Sequence, residues 1–253
     1  MASPRLNLTG DPALSLSVGA GFIDPLGFHD ATPSFSWKLP EGVKQQTAYQ
    51  IKVQGEALVW DSGWVDSDQS VTVPYAGEAL QSRQQLEWRV RFKDEKGKDS
   101  NWSELANFEL GLLSNSDWSA QWIRTAVQAP AKVEKVSCLR RGFEVEGAVK
   151  CARLYVAARG VFEISINGEK VGVDYFANGF TSFTKRLDAL TYDVTDQLKG
   201  GANSLDALLG YGWYAGRFGW AGQRQVFGKF PELLRSQILV WLGSCPNLSL
   251  RSG

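Results

Sequence analysis

The segment Leu86-Glu87-Trp88-Arg89-Val90-Arg91-Phe92 constrains the fold most, because a large apolar residue stands at every second position with a charged one between. A period of two puts Leu86, Trp88, Val90 and Phe92 on one face of an extended strand, and no helix gathers them on one side. The polar run Asp94-Glu95-Lys96-Gly97-Lys98 follows at once and reads as a hairpin turn. Thr47 to Gln54 alternates in the same way and predicts a half-buried strand, and Asn107-Phe108-Glu109-Leu110 predicts another. Short alternating strands separated by turns predict a sandwich of two sheets.

The second half continues in this style. Ala152 to Val156 and Phe162 to Ile166 read as strands, the latter ending in Asn167-Gly168, whose residues both tolerate the positive φ of a tight hairpin. Leu205 to Leu209 reads as a buried apolar run, and Leu233 to Leu242 contains another. No helix-period segment exceeds about ten residues. The one candidate for a helical turn is Thr195-Asp196-Gln197-Leu198, with Thr195 as its cap. A chain of 253 residues accommodates two ordinary domains. The polar stretch Ser114-Asn115-Ser116 is the best boundary, dividing residues 1–114 from 115–253. The expected class is therefore all-β, two modules in series.

Composition narrows the partners and the chemistry. Lys plus Arg and Asp plus Glu number 27 each, so nothing favours nucleic acid or an anionic membrane. Cys138, Cys151 and Cys245 are odd in number and lack CxxC or CxxH spacing, which predicts free thiols rather than a disulfide framework or a zinc site. His29 is the single histidine, and no nucleophile elbow accompanies it, which argues against a Ser-His-Asp or Cys-His enzyme. Met1 to Arg5 does not open a signal peptide, and no apolar run reaches membrane-spanning length, leaving cytoplasm and periplasm as alternatives.

A sugar site needs a flat apolar surface and a few polar groups for the hydroxyls. The best cluster is Tyr211, Trp213, Tyr214, Arg217, Phe218 and Trp220, interleaved with glycines that suggest a ring-exposing loop. The alternative is that Trp213 packs beneath that loop and Arg217 pairs with a carboxylate. A second candidate is Asp174-Tyr175-Phe176-Ala177-Asn178-Gly179-Phe180-Thr181, where Asp174 and Asn178 bind vicinal hydroxyls, offer oxygens to calcium, or simply cap turns. Asp66 with Asp68, sharing one strand face, and Asp188 with Asp193 invite a glycosidase reading, which needs two carboxyls placed across a cleft.

Taken in order, Pro25-Leu26-Gly27, Pro33 to Trp37, Gln46 to Ile51, Leu58 to Val65, Val73-Pro74-Tyr75, Trp88-Arg89-Val90 and Trp102-Ser103-Glu104 resemble the opening of bacterial α-L-rhamnosidases of glycoside hydrolase family 78. Asp117 to Ile123, Ala152 to Val156, Asn167-Gly168, Thr191 to Thr195 and Gly210 to Arg217 are similar to that family's next module. The resemblance implies a fibronectin-III/immunoglobulin-like sandwich followed by a jelly-roll β-sandwich, both non-catalytic. The family's hydrolytic acids lie in a downstream (α/α)6 barrel, and none has a counterpart here. The tail from Gly243 does not resemble the family's continuation, so the jelly roll is expected to be incomplete, with an open sheet edge through which a homodimer could form. Related jelly rolls bind L-rhamnose with calcium, which makes Asp174 the candidate metal ligand and Trp213, Tyr214, Arg217, Trp220, Tyr211, Asp174 and Asn178 the candidate sugar-binding set. The expected role is binding of L-rhamnose or a rhamnose-containing glycan. The rivals are bracing of a catalytic domain, and hydrolysis of rhamnosides by the chain itself.

Overall fold

The computed structural model describes residues 10–125, 136–218, 223–224, 227–228 and 232–241. Two compact units lie within residues 1–113 and 114–245.

The first unit contains β1 (Leu14–Val18), β2 (Leu26–Phe28), β3 (Ser34–Lys38), β4 (Gln46–Gln54), β5 (Leu58–Asp61), β6 (Val65–Asp66), β7 (Val73–Pro74), β8 (Gln85–Asp94) and β9 (Ala106–Leu110). One sheet has the order β1-β3-β7 and the other β2-β9-β8-β4-β5, with β6 also paired to β4. β8 buries Leu86, Trp88, Val90 and Phe92 and leaves the residues between them partly exposed, as its period dictates. These four meet Phe35 and Trp37 from the opposing sheet in one core.

β4 is more buried than a half-buried strand, and the reason lies in its glutamines. Gln46 accepts from Trp37 Nε1 at 3.0 Å and donates to the Gln69 carbonyl at 2.7 Å. Gln50 donates to Asp61 Oδ1 at 2.7 Å and accepts from Arg91 Nε at 2.9 Å. Satisfied amides can be buried at little cost, so polar positions of the pattern vanish from the surface. On the outer face, cations and indoles alternate: Lys93 lies 4.8 Å from the Trp64 ring, Arg91 lies 4.6 Å from Trp64 and 4.8 Å from Trp102, and Arg89 lies 4.8 Å from Trp102. Such contacts account for part of the tryptophan richness without a ligand.

The turn after β8 forms as read. Gly97 has φ +75°, and Asp94 Oδ1 accepts the amides of Lys96 and Lys98, both at 2.8 Å. The Lys98 amide, then that of Lys96, holds the Asp94 carboxyl below its ordinary 3.8. Burial raises Asp61, but hydrogen bonds from Gln50, the Gly63 amide and Lys52 outweigh it, and this carboxyl also lies below 3.8. Both groups have folded pKa values below their unfolded ones. Their stabilisation is complete above the unfolded value and is lost as pH falls through the folded one. The first unit is therefore expected to lose thermal stability progressively below about pH 4, with a shallower loss in Asp61→Asn. A calorimetric pH series checks this, and an identical acid slope in wild type and variant would refute it.

The second unit contains β10 (Ser137–Val145), β11 (Cys151–Arg159), β12 (Val161–Ile166), β13 (Glu169–Lys170), β14 (Ala189–Asp193), β15 (Gly201–Gly210), α1 (Gly212–Ala215), β16 (Arg217–Phe218), β17 (Gln223–Arg224) and β18 (Glu232–Trp241). Its sheets run β10-β15-β12-β13 and β14-β11-β18, with a small β16-β17 ribbon. Leu154 and Val156 of one sheet pack with Phe162, Ile164, Ala207 and Leu209 of the other. The chain is thus all-β, an immunoglobulin-like sandwich and a second β-sandwich. Asn167 and Gly168 have φ +53° and +85°, so the hairpin between β12 and β13 forms as expected.

Four local expectations change. β15 is not a continuous buried run: Ala207 and Leu209 are buried while Leu208 is exposed, because its two faces meet different surroundings. The segment Thr195 to Gln197 is a turn rather than a helix, and the capping side chain is Asp193, whose Oδ1 accepts the Thr195 amide at 3.0 Å. Cys151 is disulfide-bonded and Cys138 is free, so the expectation of three free thiols fails, since chain spacing carries no information about pairs remote in sequence. Asp66 ends the two-residue β6, and Asp68 lies beyond it, accepting from Gln45 Nε2 at 3.3 Å, so the two share no strand face.

Candidate carbohydrate-binding site

β12 and β15 are paired so that Val161 stands opposite Gly210, and the chain turns directly beyond that pair. Gly212 has φ +48°, and a Cβ there would lie 2.6 Å from Val161 Cγ1 and 2.9 Å from its amide nitrogen. Only glycine permits that approach. α1 follows as a single turn, closed by the Ala215 amide to the Tyr211 carbonyl at 3.1 Å and the Gly216 amide to the Gly212 carbonyl at 3.0 Å. Trp213 is left 50% exposed, while Tyr214 is half-buried.

The second sequence candidate arrives at the same place. Phe180, 54% exposed, meets Trp213 edge-on with ring centroids 6.0 Å apart. Phe183 lies 5.6 Å from Tyr214, and Phe227 lies 5.2 Å from Phe183. The Arg159 guanidinium, at the end of β11, lies 4.8 Å from Trp122 and 6.0 Å from Tyr214. Trp213 therefore does not pack beneath its loop but forms the outer part of an aromatic cluster. Phe183, Phe227 and Arg159 were missed as members. The Phe180-Thr181-Ser182-Phe183 spacing was visible, but nothing local says that it faces α1.

Asn178 sits at φ +80°, a conformation that asparagine tolerates, and is 3% exposed. Its Nδ2 donates to the Ala158 carbonyl at 2.5 Å, and its Oδ1 is buried without a hydrogen-bond partner. Ala177 and Phe162 exchange two backbone hydrogen bonds, at 3.0 and 3.1 Å, which anchor the loop to β12. Asp174 is exposed and accepts from the Tyr192 hydroxyl at 3.5 Å. Asp174 and Asn178 thus engage different neighbours. Arg217 is exposed on β16, and Tyr211 is half-buried beside α1. Trp220 lies outside the described residues.

Burial, then the charge and hydrogen bond of Asp174, push the Tyr192 hydroxyl up to about 12. Asp174→Asn is expected to lower that value only in part, because the first cause remains. Ultraviolet titration of tyrosinate, wild type against variant, reads this directly, and an unchanged high-pH step would disprove the contact.

Among the described residues no group of three or more His, Cys, Asp or Glu is placed to hold a metal ion. Asp188 is near Arg186 at 3.7 Å and Asp193 is bound to Arg153 at 2.9 Å, so each carboxylate has a cationic neighbour. His29 packs against Phe28 with ring centroids 5.0 Å apart. No helix among the described residues is long and apolar enough to cross a membrane.

Comparison with known proteins agrees with this architecture. Residues 19–114 match the Rha78A-like N-terminal immunoglobulin domain, and residues 147–242 match the α-L-rhamnosidase N-terminal domain. An α-L-rhamnosidase of Formosa agariphila is 43% identical over 238 residues, covering 88% of this chain and 26% of that protein. The crystal structure of the Aspergillus terreus α-L-rhamnosidase superposes with a TM-score of 0.80 at 31% identity, over 90% of this chain and 27% of that one. The Streptomyces avermitilis α-L-rhamnosidase, solved as a complex with L-rhamnose, shares the fold with a TM-score of 0.81 at 24% identity, over 90% of this chain and 39% of that one. The chain therefore spans about a quarter to two-fifths of the length of these relatives. Its two units belong, in the same order, to the immunoglobulin-like and β-sandwich domains that form the N-terminal region of α-L-rhamnosidases.

Proposed function

We propose that this chain is a non-catalytic carbohydrate-binding part of an α-L-rhamnosidase-like protein. Residues 1–114 act as a spacer, and residues 115–253 bind L-rhamnose or a rhamnose-containing glycan. The observation that carries this is the half-exposed pair Trp213 and Phe180, supplied by two separate loops and held 6.0 Å apart. A 6-deoxyhexose offers a methyl group and C–H faces to such rings, and its hydroxyls suit Arg217, Tyr211 and Asp174. The Streptomyces relative solved with L-rhamnose lends support through its fold.

Calcium takes roughly six to eight oxygens. Asn178 is buried against Ala158 while Asp174 is exposed beside Tyr192, so the two do not form such a cage. The binding proposed here therefore runs through rings and hydroxyl hydrogen bonds.

A second reading is bracing. Val173, Tyr175 and Phe176 are 88%, 73% and 72% exposed, an apolar surface that a neighbouring domain would cover. Calorimetric titration with L-rhamnose separates the two. Saturable heat with a dissociation constant of about a millimolar, abolished in Trp213→Ala, is expected for binding, since a small polar ligand buries little apolar area. Loss of that heat with a chelator would add a metal to the site. Absence of heat at millimolar sugar would sink the binding reading and leave bracing.

A further inference from the structure

We infer that the outer face of β8, in the first unit, is a binding site for an acidic polysaccharide. Arg89, Arg91 and Lys93 are alternate residues of β8, so their side chains leave the same face and recur at roughly 7 Å along the strand. Two indoles are interleaved with them. Trp102 is 4.8 Å from both the Arg89 and the Arg91 guanidinium, and Trp64 is 4.6 Å from Arg91 and 4.8 Å from Lys93. All five residues are half-buried, so the row still reaches solvent.

The row is positioned but not neutralised. Arg91 Nε donates at 2.9 Å to Gln50 Oε1, a neutral acceptor, and Arg89 Nε is buried without a hydrogen-bond partner. Among the described residues no ion pair joins Arg89, Arg91 or Lys93 to a carboxylate. Two acids of the same sheet have other partners: Asp61 pairs with Lys52 at 3.1 Å, and Glu87 accepts from Gln54 at 3.2 Å. An aromatic ring orients a cation without cancelling its charge, and a guanidinium held by its face keeps N–H groups for an anion. Three like charges this close lie within one screening length and repel, and a ligand carrying several anions relieves that repulsion. A polysaccharide with carboxylates or sulfates engages the whole row, its anions meeting the cations and its C–H groups the indoles. An acidic peptide engages the cations alone. The formal net charge of zero hides the row, because that sum runs over the chain and the row is local. The site adds a role to the unit given above as a spacer, and it does not depend on rhamnose binding by the second unit.

Calorimetric titration of polygalacturonate into the full chain tests this, with neutral dextran and polyglutamate as comparisons. Saturable binding at about 50 mM salt, weakened tenfold or more at about 0.5 M, is expected, because salt screens each contact. Lys93→Glu and Arg89→Glu should each weaken it about tenfold, and Lys93→Gln, which only removes a charge, about threefold. Arg89→Lys and Trp213→Ala should bind polygalacturonate as the wild type does, and dextran should give no heat. Absence of polygalacturonate binding overturns the proposal, as does binding that both reversals leave unchanged. Polyglutamate bound as tightly as polygalacturonate would assign the face to acidic protein, and loss of binding in Trp213→Ala would move the site to the second unit. Either result overturns it too.

Discussion

Trp88→Ala is expected to remove about 3–5 kcal/mol from the stability of the first unit. Trp88 is fully buried, its ring centroid lies 4.5 Å from that of Phe35 on the opposing sheet, and it stands opposite Val53 in the ladder with β4. The indole therefore ties β8 to both layers, and alanine would leave a cavity that the surrounding rings of Phe35 and Phe108, themselves 6.0 Å apart, cannot close. The indole Nε1 is buried without a hydrogen-bond partner. Trp88→Phe removes that orphaned donor along with part of the ring, so its cost should fall to about 1–2 kcal/mol. Urea unfolding checks the pair. With an m-value of about 2 kcal/mol/M, Trp88→Ala should shift the midpoint of the first unit down by roughly 2 M. Equal shifts for Phe and Ala would show that packing of the ring is not what holds the sheets together.

Asp193→Ala is expected to cost the second unit about 2–3 kcal/mol. Arg153 is 3% exposed, and its Nη1 lies 2.9 Å from Asp193 Oδ2. Asp193 Oδ1 also accepts from the Thr195 amide at 3.0 Å and from its hydroxyl at 2.6 Å. That hydroxyl in turn accepts the Ala152 amide at 3.0 Å. Removing the carboxylate weakens the pairing of a buried guanidinium and unfastens the turn after β14 together. The figure lies below that for a fully buried pair because Asp193 is half-exposed and water screens it. Asp193→Asn keeps an oxygen for Thr195 and should cost about half as much. Chemical denaturation of the two variants separates charge from capping, and a loss under about 0.5 kcal/mol in Asp193→Ala would show that the pair is dispensable.

Much of the architecture was legible locally. The alternation in β8 names its buried face correctly, and Asn167-Gly168 marks a hairpin whose two positive φ angles allow few other residues. The family motifs that the chain resembles were visible in both halves. Other features were hidden for identifiable reasons. Gln46 and Gln50 look like surface positions, and only their partners Trp37, Gln69, Asp61 and Arg91 make burial affordable. Thr195 has the look of a cap, yet its hydroxyl donates to Asp193 and accepts the Ala152 amide instead.

The candidate site divides in the same way. The glycines and aromatics of Gly210 to Arg217 suggested a ring-exposing loop, and of its described rings Trp213 is exposed while Tyr211 and Tyr214 are half-buried. That Phe180 would stand beside Trp213 was decided by tertiary structure, since it depends on β12 and β15 being neighbours and on the Gly212 contact with Val161. Asn178, read as facing a ligand, turns inward to Ala158 because its backbone angle points it there. By itself the sequence determined which faces are apolar and where the chain turns, since both depend on residues within a few positions of each other. Only the tertiary structure decided which loops converge and which polar groups are satisfied, because those depend on strand order and on contacts remote along the chain.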